Sequence, residues 1–252
     1  MRVFSWSGLL LVLGMLLGCY PKGDPSKPIP ITLLAAPQPA QRLVVVLPGR
    51  GDDLDGLRRS GIASAVQSAW PDADVVLTGL ALGYYLQGEA IQRLQREVIA
   101  PARARGYREV WLLGASLGGM GALMYDRSYP GELDGIVLLA PYLGEKPLLE
   151  EIAAAGGVAQ WQPGPVPAAV DNDNFEQELW RHLRGWASEP AKANDVWLAY
   201  GDRDKLREAM PLLAPLLRPH HVFVRAGGHA WNVWSPAARE MLLAADRERA
   251  AR

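Results

Sequence analysis

From residue 31 onward the chain alternates between two patterns, and this alternation constrains its fold more than any other feature. Residues 42–47, 74–78, 110–115, 135–140, 196–200 and 221–225 are short aliphatic and β-branched runs that read as buried strands, with 31–34 as a short first strand. Between and after them, residues 57–70, 89–105, 206–217 and 236–249 read as helices; in 89–105 the apolar residues Ile91, Leu94, Val98 and Ile99 recur at helical spacing. Strands joined through helices pair in parallel, because a parallel pair needs a long crossover. The expected class is therefore α/β: a mainly parallel central sheet with helices on both faces. Ligands of such sheets bind beyond the carboxyl ends of the strands.

Four strand ends carry chemistry. Residues 110–115 run into Gly114-Ala115-Ser116-Leu117-Gly118 and then a small-residue helix start, Gly119-Met120-Gly121-Ala122. A serine flanked by glycines between a buried strand and a helix has the shape of a nucleophile elbow. Glycine is needed there because the turn is strained and the helix packs close to the strand. Gly201-Asp202-Arg203-Asp204 follows 196–200, Gly227-Gly228-His229-Ala230-Trp231 follows 221–225, and Pro48-Gly49-Arg50-Gly51-Asp52-Asp53 follows 42–47. A serine hydroxyl needs an adjacent base, and histidine serves because it titrates near neutrality. A carboxylate then fixes the imidazole tautomer. Of the four histidines, His182 sits in a polar helical stretch and reads as surface, and His220 and His221 open a strand at its other end. Only His229 follows a strand through a glycine loop. Asp202 and Asp204 compete as the acid.

The order serine, aspartate, histidine resembles the α/β-hydrolase fold of the serine esterase type, over roughly residue 31 to the carboxyl terminus. The ending GGHAW is similar to small bacterial carboxylesterases, including esterase-D-like and dienelactone-hydrolase-like members. The resemblance implies an ester hydrolase working through an acyl-enzyme on Ser116, with His229 as base. The family spacing of glycine, two residues, aspartate selects Asp204, leaving Asp202 to hydrogen-bond the turn or cap the next helix. The resemblance also implies an oxyanion hole with the Leu117 N–H as one donor. The other donor comes from the loop after residue 47, with Arg50 first and Gly51 next. The PGRG of that loop departs from the HGGG of many lipases, and the Arg50 side chain has Asp52 or Asp53 as alternative partners. Acyl transfer to an alcohol would use the same triad. A non-catalytic surface lipoprotein that only binds is a third reading, disfavoured by an intact triad.

Other chemistries lack their signatures. GASLGG has the wrong spacing for a dinucleotide fold, no P-loop is present, and no His/Cys/carboxylate group has metal-ligand spacing, so neither metal nor cofactor is expected. With 26 Lys plus Arg against 27 Asp plus Glu, there is no basic excess to suggest nucleic acid. Residues 142–193 separate two consecutive strands by more than a crossover requires, and the surplus reads as a small cap insertion over the site. The chain carries nine Trp against three Phe. Trp161, Trp180 and Trp186 in the insert, with Trp231 after the base, are expected to present an apolar wall to substrate. The alternative is that they dock the insert on the core.

Residues 1–18 read as an export signal: Arg2, then an apolar stretch over 9–17 too short to span a bilayer. The stretch ends in Leu16-Leu17-Gly18-Cys19, which resembles the bacterial lipobox. The only cysteine of the chain stands at the position that would be lipidated. Residues 19–30, with four prolines, read as an extended tether with little capacity to pack. The hydrolase domain would then be 31–252. The resemblance to enteric lipoproteins implies, from Tyr20 after the cysteine, sorting to the outer membrane, facing the periplasm. The expected partners are a small-molecule ester and a membrane reached through the lipid anchor.

Overall fold

The computed structural model describes residues 23–251. The proposed signal segment and Cys19 lie outside the described residues. The chain forms β1 (Ile31–Leu34), β2 (Arg42–Leu47), α1 (Leu54–Arg59), α2 (Ile62–Ala69), β3 (Ala73–Thr78), α3 (Leu82–Leu86) and α4 (Ala90–Leu94). A π turn (Gln95–Ile99) and α5 (Ala100–Ala104) lead to β4 (Glu109–Ala115), α6 (Leu117–Ser128), β5 (Gly135–Leu139), α7 (Lys146–Ala154) and α8 (Phe175–Ser188). Then come β6 (Val196–Gly201), α9 (Met210–Leu213), β7 (Val222–Arg225) and α10 (Trp231–Ala250).

The seven strands lie in the order β1-β3-β2-β4-β5-β6-β7. Only β1 is antiparallel, with Ile31 opposite Thr78. The central strands are apolar on both faces, as strands covered on both sides must be. One core layer packs α6, α8 and the 90–104 helices against Val45, Leu112 and Leu138; the other packs α2 and α10 against Val44, Leu113 and Val137. This is the mainly parallel α/β architecture that the alternation predicts.

Four expectations change. The helix expected over 57–70 is two helices, parted at Ser60-Gly61, where Gly61 takes φ 76°. The helix expected over 206–217 is a broken run of 3₁₀ turns around α9, because Pro211 and Pro215 remove successive amide donors. The insert 142–193 is not all cap: α8 is the crossover helix, with Leu179, Trp180, Leu183 and Trp186 buried along one face. What remains of the insert is α7 and the loop 155–174, whose Pro163–Pro165 carbonyls are held by Arg181 of α8.

The fourth change is the tether, whose second half is docked. Arg93 donates to the carbonyls of Pro25 and Lys27, and the Tyr84 hydroxyl donates to the Asp24 carbonyl at 3.1 Å. The Ile29 side chain is buried, and its N–H donates to Glu97 Oε2 at 2.7 Å. Arg93 is itself held by Glu97. A proline-rich stretch makes few hydrogen bonds of its own, so its carbonyls are available to a well-placed guanidinium. Among the described residues, no helix is long and apolar enough to cross a membrane.

Candidate active site

Ser116 stands between β4 and α6 with φ 53° and ψ −114°. A non-glycine residue adopts positive φ only under strain, which the surroundings must impose. Here the Ser116 N–H donates to Leu139 O at 2.9 Å, and its carbonyl accepts from Tyr142 N at 2.9 Å and Gly119 N at 3.0 Å. The only other described non-glycine with positive φ is Ala140, at 42°, on the adjacent strand end. The flanking glycines are fixed by close approach. A Cβ on Gly114 would overlap the Gly118 carbonyl, and one on Gly118 would overlap the Leu47 carbonyl. The loop after β2 also reaches the serine: a Cβ on Gly49 would lie 3.5 Å from Ser116 Cβ.

Across the sheet, Asp204 is fully buried. Its Oδ1 accepts from Leu206 N at 2.8 Å and lies 2.8 Å from His229 Nδ1. A carboxylate oxygen only accepts, so Nδ1 is the donor of this pair. Asp204 Oδ2 is buried without a hydrogen-bond partner. Trp234 holds the other side of the ring edge-on, with centroids 4.6 Å apart. Asp202 Oδ1 accepts not from its own turn or the next helix but from Gly227 N at 2.8 Å, tying the loop after β6 to the loop after β7.

The Leu117 N–H opens α6, among the amides that a helix leaves without an internal acceptor. Arg50 and Gly51 lie in the exposed turn after Gly49. Asp53 caps α1 through Gly56 N at 2.7 Å. Asp52, expected only as an alternative partner of Arg50, takes the Trp231 indole N–H at 3.0 Å. Loss of hydration pushes its carboxyl above the usual range, against the opposing pull of that indole bond and of His229. Trp231 thus bridges the loop after β2 and Trp234, its ring centroid 5.3 Å from that of Trp234.

The three insert tryptophans do not form a wall. Trp161, Trp180 and Trp186 are at most 1 % exposed and packed into the core layer beneath α8. The Trp180 indole donates to Leu143 O at 2.6 Å, and that of Trp161 to Glu151 at 2.7 Å. They dock the insert, because α8 turns its apolar face to the sheet. Nor is His182 free surface: Nε2 lies 2.9 Å from Asp126. At the opposite end of the sheet the fold gathers His220, His221 and Glu248, with ligand atoms within 4.8 Å of one another, a cluster that sequence spacing could not reveal. Arg218 also binds Glu248 there.

The fold and this strand-end geometry define an α/β-hydrolase esterase. A family model described as "Putative esterase" matches residues 85–245, and the chain belongs to that family. It is a carboxylic ester hydrolase acting on small-molecule esters. A search of curated protein sequences returns no match. Solved structures share the fold at low identity. MPT51 of Mycobacterium tuberculosis superposes with TM-score 0.61 at 19% identity, covering 85% of this chain and 91% of that one. FphF, a fluorophosphonate-binding serine hydrolase of Staphylococcus aureus, gives 0.59 at 13%, covering 87% and 99%. The monoacylglycerol lipase of Paleococcus ferrophilus gives 0.54 at 15%, covering 87% and 100%.

Proposed function

We propose that the chain cleaves esters through an acyl-enzyme on Ser116, with His229 as general base and Asp204 as the acid that orients it. The observation that carries this reading is the 2.8 Å bond from His229 Nδ1 to the buried Asp204, made at the strand ends that also hold the strained Ser116 turn. In this scheme His229 Nε2 takes the hydroxyl proton as Ser116 Oγ attacks the ester carbonyl. The carbonyl oxygen becomes an oxyanion, received by the Leu117 N–H and an N–H of the Arg50-Gly51 turn. His229 returns the proton to the departing alcohol, and water repeats the cycle to release the acid. Trp231 and Asp52 border the acyl or alcohol side. A fluorophosphonate probe tests the scheme: wild type is expected to label at Ser116 and lose turnover with labelling. Folded protein that resists the probe would refute it.

The lipobox-like ending and single cysteine support a second element: export, cleavage after Gly18, and lipidation of Cys19, anchoring the enzyme to the outer membrane on its periplasmic side. Each buried lipid methylene contributes about 0.8 kcal/mol to such an anchor. Metabolic labelling with a fatty acid is expected in wild type and absent from Cys19→Ser; equal labelling of the two would sink the anchor.

A further inference from the structure

We infer that the docked segment after Cys19 turns the catalytic mouth towards the membrane, so that the substrate is an ester presented by the bilayer. The inference rests on the two elements proposed above. Its own evidence is where the anchored chain joins the fold. Gly23 packs against Tyr84 and Ala81: a Cβ there would lie 3.0 Å from the Tyr84 ring and 3.2 Å from Ala81 Cβ. Both residues follow the carboxyl end of β3, and Pro30 accepts from Gly79 N at 2.7 Å at the same end. The carboxyl ends of the strands are also where Ser116, Asp204 and His229 stand. In the strand order, β3 and β4 are separated by β2 alone. At about 4.8 Å per strand, the anchor's attachment is therefore offset laterally by about 10 Å from the strand carrying Ser116.

The link is short. From Cys19 to Gly23 there are four residue steps, at most about 14 Å when fully extended. A free tether of twelve residues would let the domain tumble over the surface. The grips of Arg93, Tyr84 and Glu97 on residues 24–29 remove most of that freedom. The surface at this end suits a bilayer. Leu86, closing α3, is 56% exposed, and its carbonyl accepts from Asn172 at 3.0 Å, which brings the insert loop alongside. Val170, two residues before Asn172, is exposed there as well. An ester whose acyl chain lies in the membrane then meets Ser116 without leaving the surface, at an effective concentration set by the link.

The test uses the full lipidated chain in phosphatidylcholine vesicles, with p-nitrophenyl palmitate held in the bilayer and p-nitrophenyl acetate in the water. One variant inserts twelve Gly/Ser residues between Lys22 and Gly23; a second is Leu86→Asp, at an exposed position. We expect the ratio of embedded to soluble turnover to fall tenfold or more in the insertion variant and severalfold in Leu86→Asp, with soluble turnover unchanged. Ratios within twofold of wild type in both variants would overturn the inference while leaving esterase and anchor intact. Absent turnover of the soluble ester by wild type, or absent fatty-acid labelling, would strike the ester or the anchor reading respectively, and this inference with it.

Discussion

The two ends of the sheet are built on opposite terms. At the carboxyl end lie both described non-glycine residues with positive φ, the elbow glycines Gly114 and Gly118 that leave no room for a Cβ, and the buried carboxylate of Asp204. The amino end is stitched by charge. Arg42 pairs with Asp246 at 2.8 Å and lies 4.5 Å over the Trp70 ring. Arg249 binds Glu109 and lies 4.7 Å over Trp111, while His221 stacks on Trp197 at 3.6 Å between ring centroids. Backbone strain costs stability, and the ion pairs and ring contacts at the far end offset that cost. The difference teaches that activity and stability are separable in this chain by position along the strands.

Substitutions at the carboxyl end should therefore remove activity without removing the fold. Ser116→Ala is expected to lower turnover of a short-chain aryl ester by about 10⁶, with an unfolding midpoint no lower than wild type. Ser116→Gly should be equally inactive yet more stable by about 1 kcal/mol, because glycine relieves the positive φ. Residual activity within tenfold of wild type would remove Ser116 from the mechanism. Asp204→Asn should cost about 10⁴ in turnover, and Asp202→Asn much less, since Asp202 only ties the loops. Reversal of that order would exchange the roles of the two carboxylates.

Substitutions in the core layer and at the amino end should do the reverse. Trp180→Ala empties a fully buried site and is expected to cost about 3–5 kcal/mol in urea unfolding. The chain-length profile on p-nitrophenyl esters should stay as it was, because this ring packs the insert; a shifted optimum would return it to the substrate pocket. Glu109→Gln disturbs Arg42, Arg249 and the Trp111 indole together. A loss of about 2 kcal/mol is expected, with kcat/KM within twofold of wild type. A tenfold fall in kcat/KM would show that the two ends are coupled.

The sequence made the carboxyl end legible and the amino end almost opaque, for a physical reason. A parallel sheet delivers every strand end to one edge, so a serine, an aspartate and a histidine far apart in the chain can be read as neighbours from strand order alone. No such rule links Glu109 to Arg249, or Glu248 to His221, whose meeting depends on how α10 crosses the sheet. The docking of residues 24–30 was hidden likewise, because nothing near those prolines announces Arg93. For Trp180 and Trp186 the sequence pattern itself favours docking over a wall: with Leu179 and Leu183 they share one helical face, which marks a buried stripe. Pro211 and Pro215 equally announced a broken helix. Ala140 could not have been found, since no residue pattern requires positive φ at an alanine.

The smallest expected effect is a pH dependence of stability seated at the amino end. His221 is buried, with Nδ1 3.1 Å from Val196 O, Nε2 2.7 Å from Glu248 Oε2, and His220 and Trp197 packed beside it. Glu248 and the Val196 carbonyl favour the charged ring, but burial outweighs them and His220 adds repulsion, so the imidazole titrates below its ordinary value of 6.5. A histidine whose folded value lies below its unfolded value binds fewer protons folded than unfolded across that interval. Its contribution is therefore full above about pH 6.5 and is lost as the pH falls through the interval to the folded value. Urea unfolding between pH 8 and pH 5 should show a steeper decline for wild type than for His221→Gln. Catalytic-end variants such as Ser116→Ala should keep the wild-type slope. Equal slopes for wild type and His221→Gln would place the pH sensitivity elsewhere in the chain.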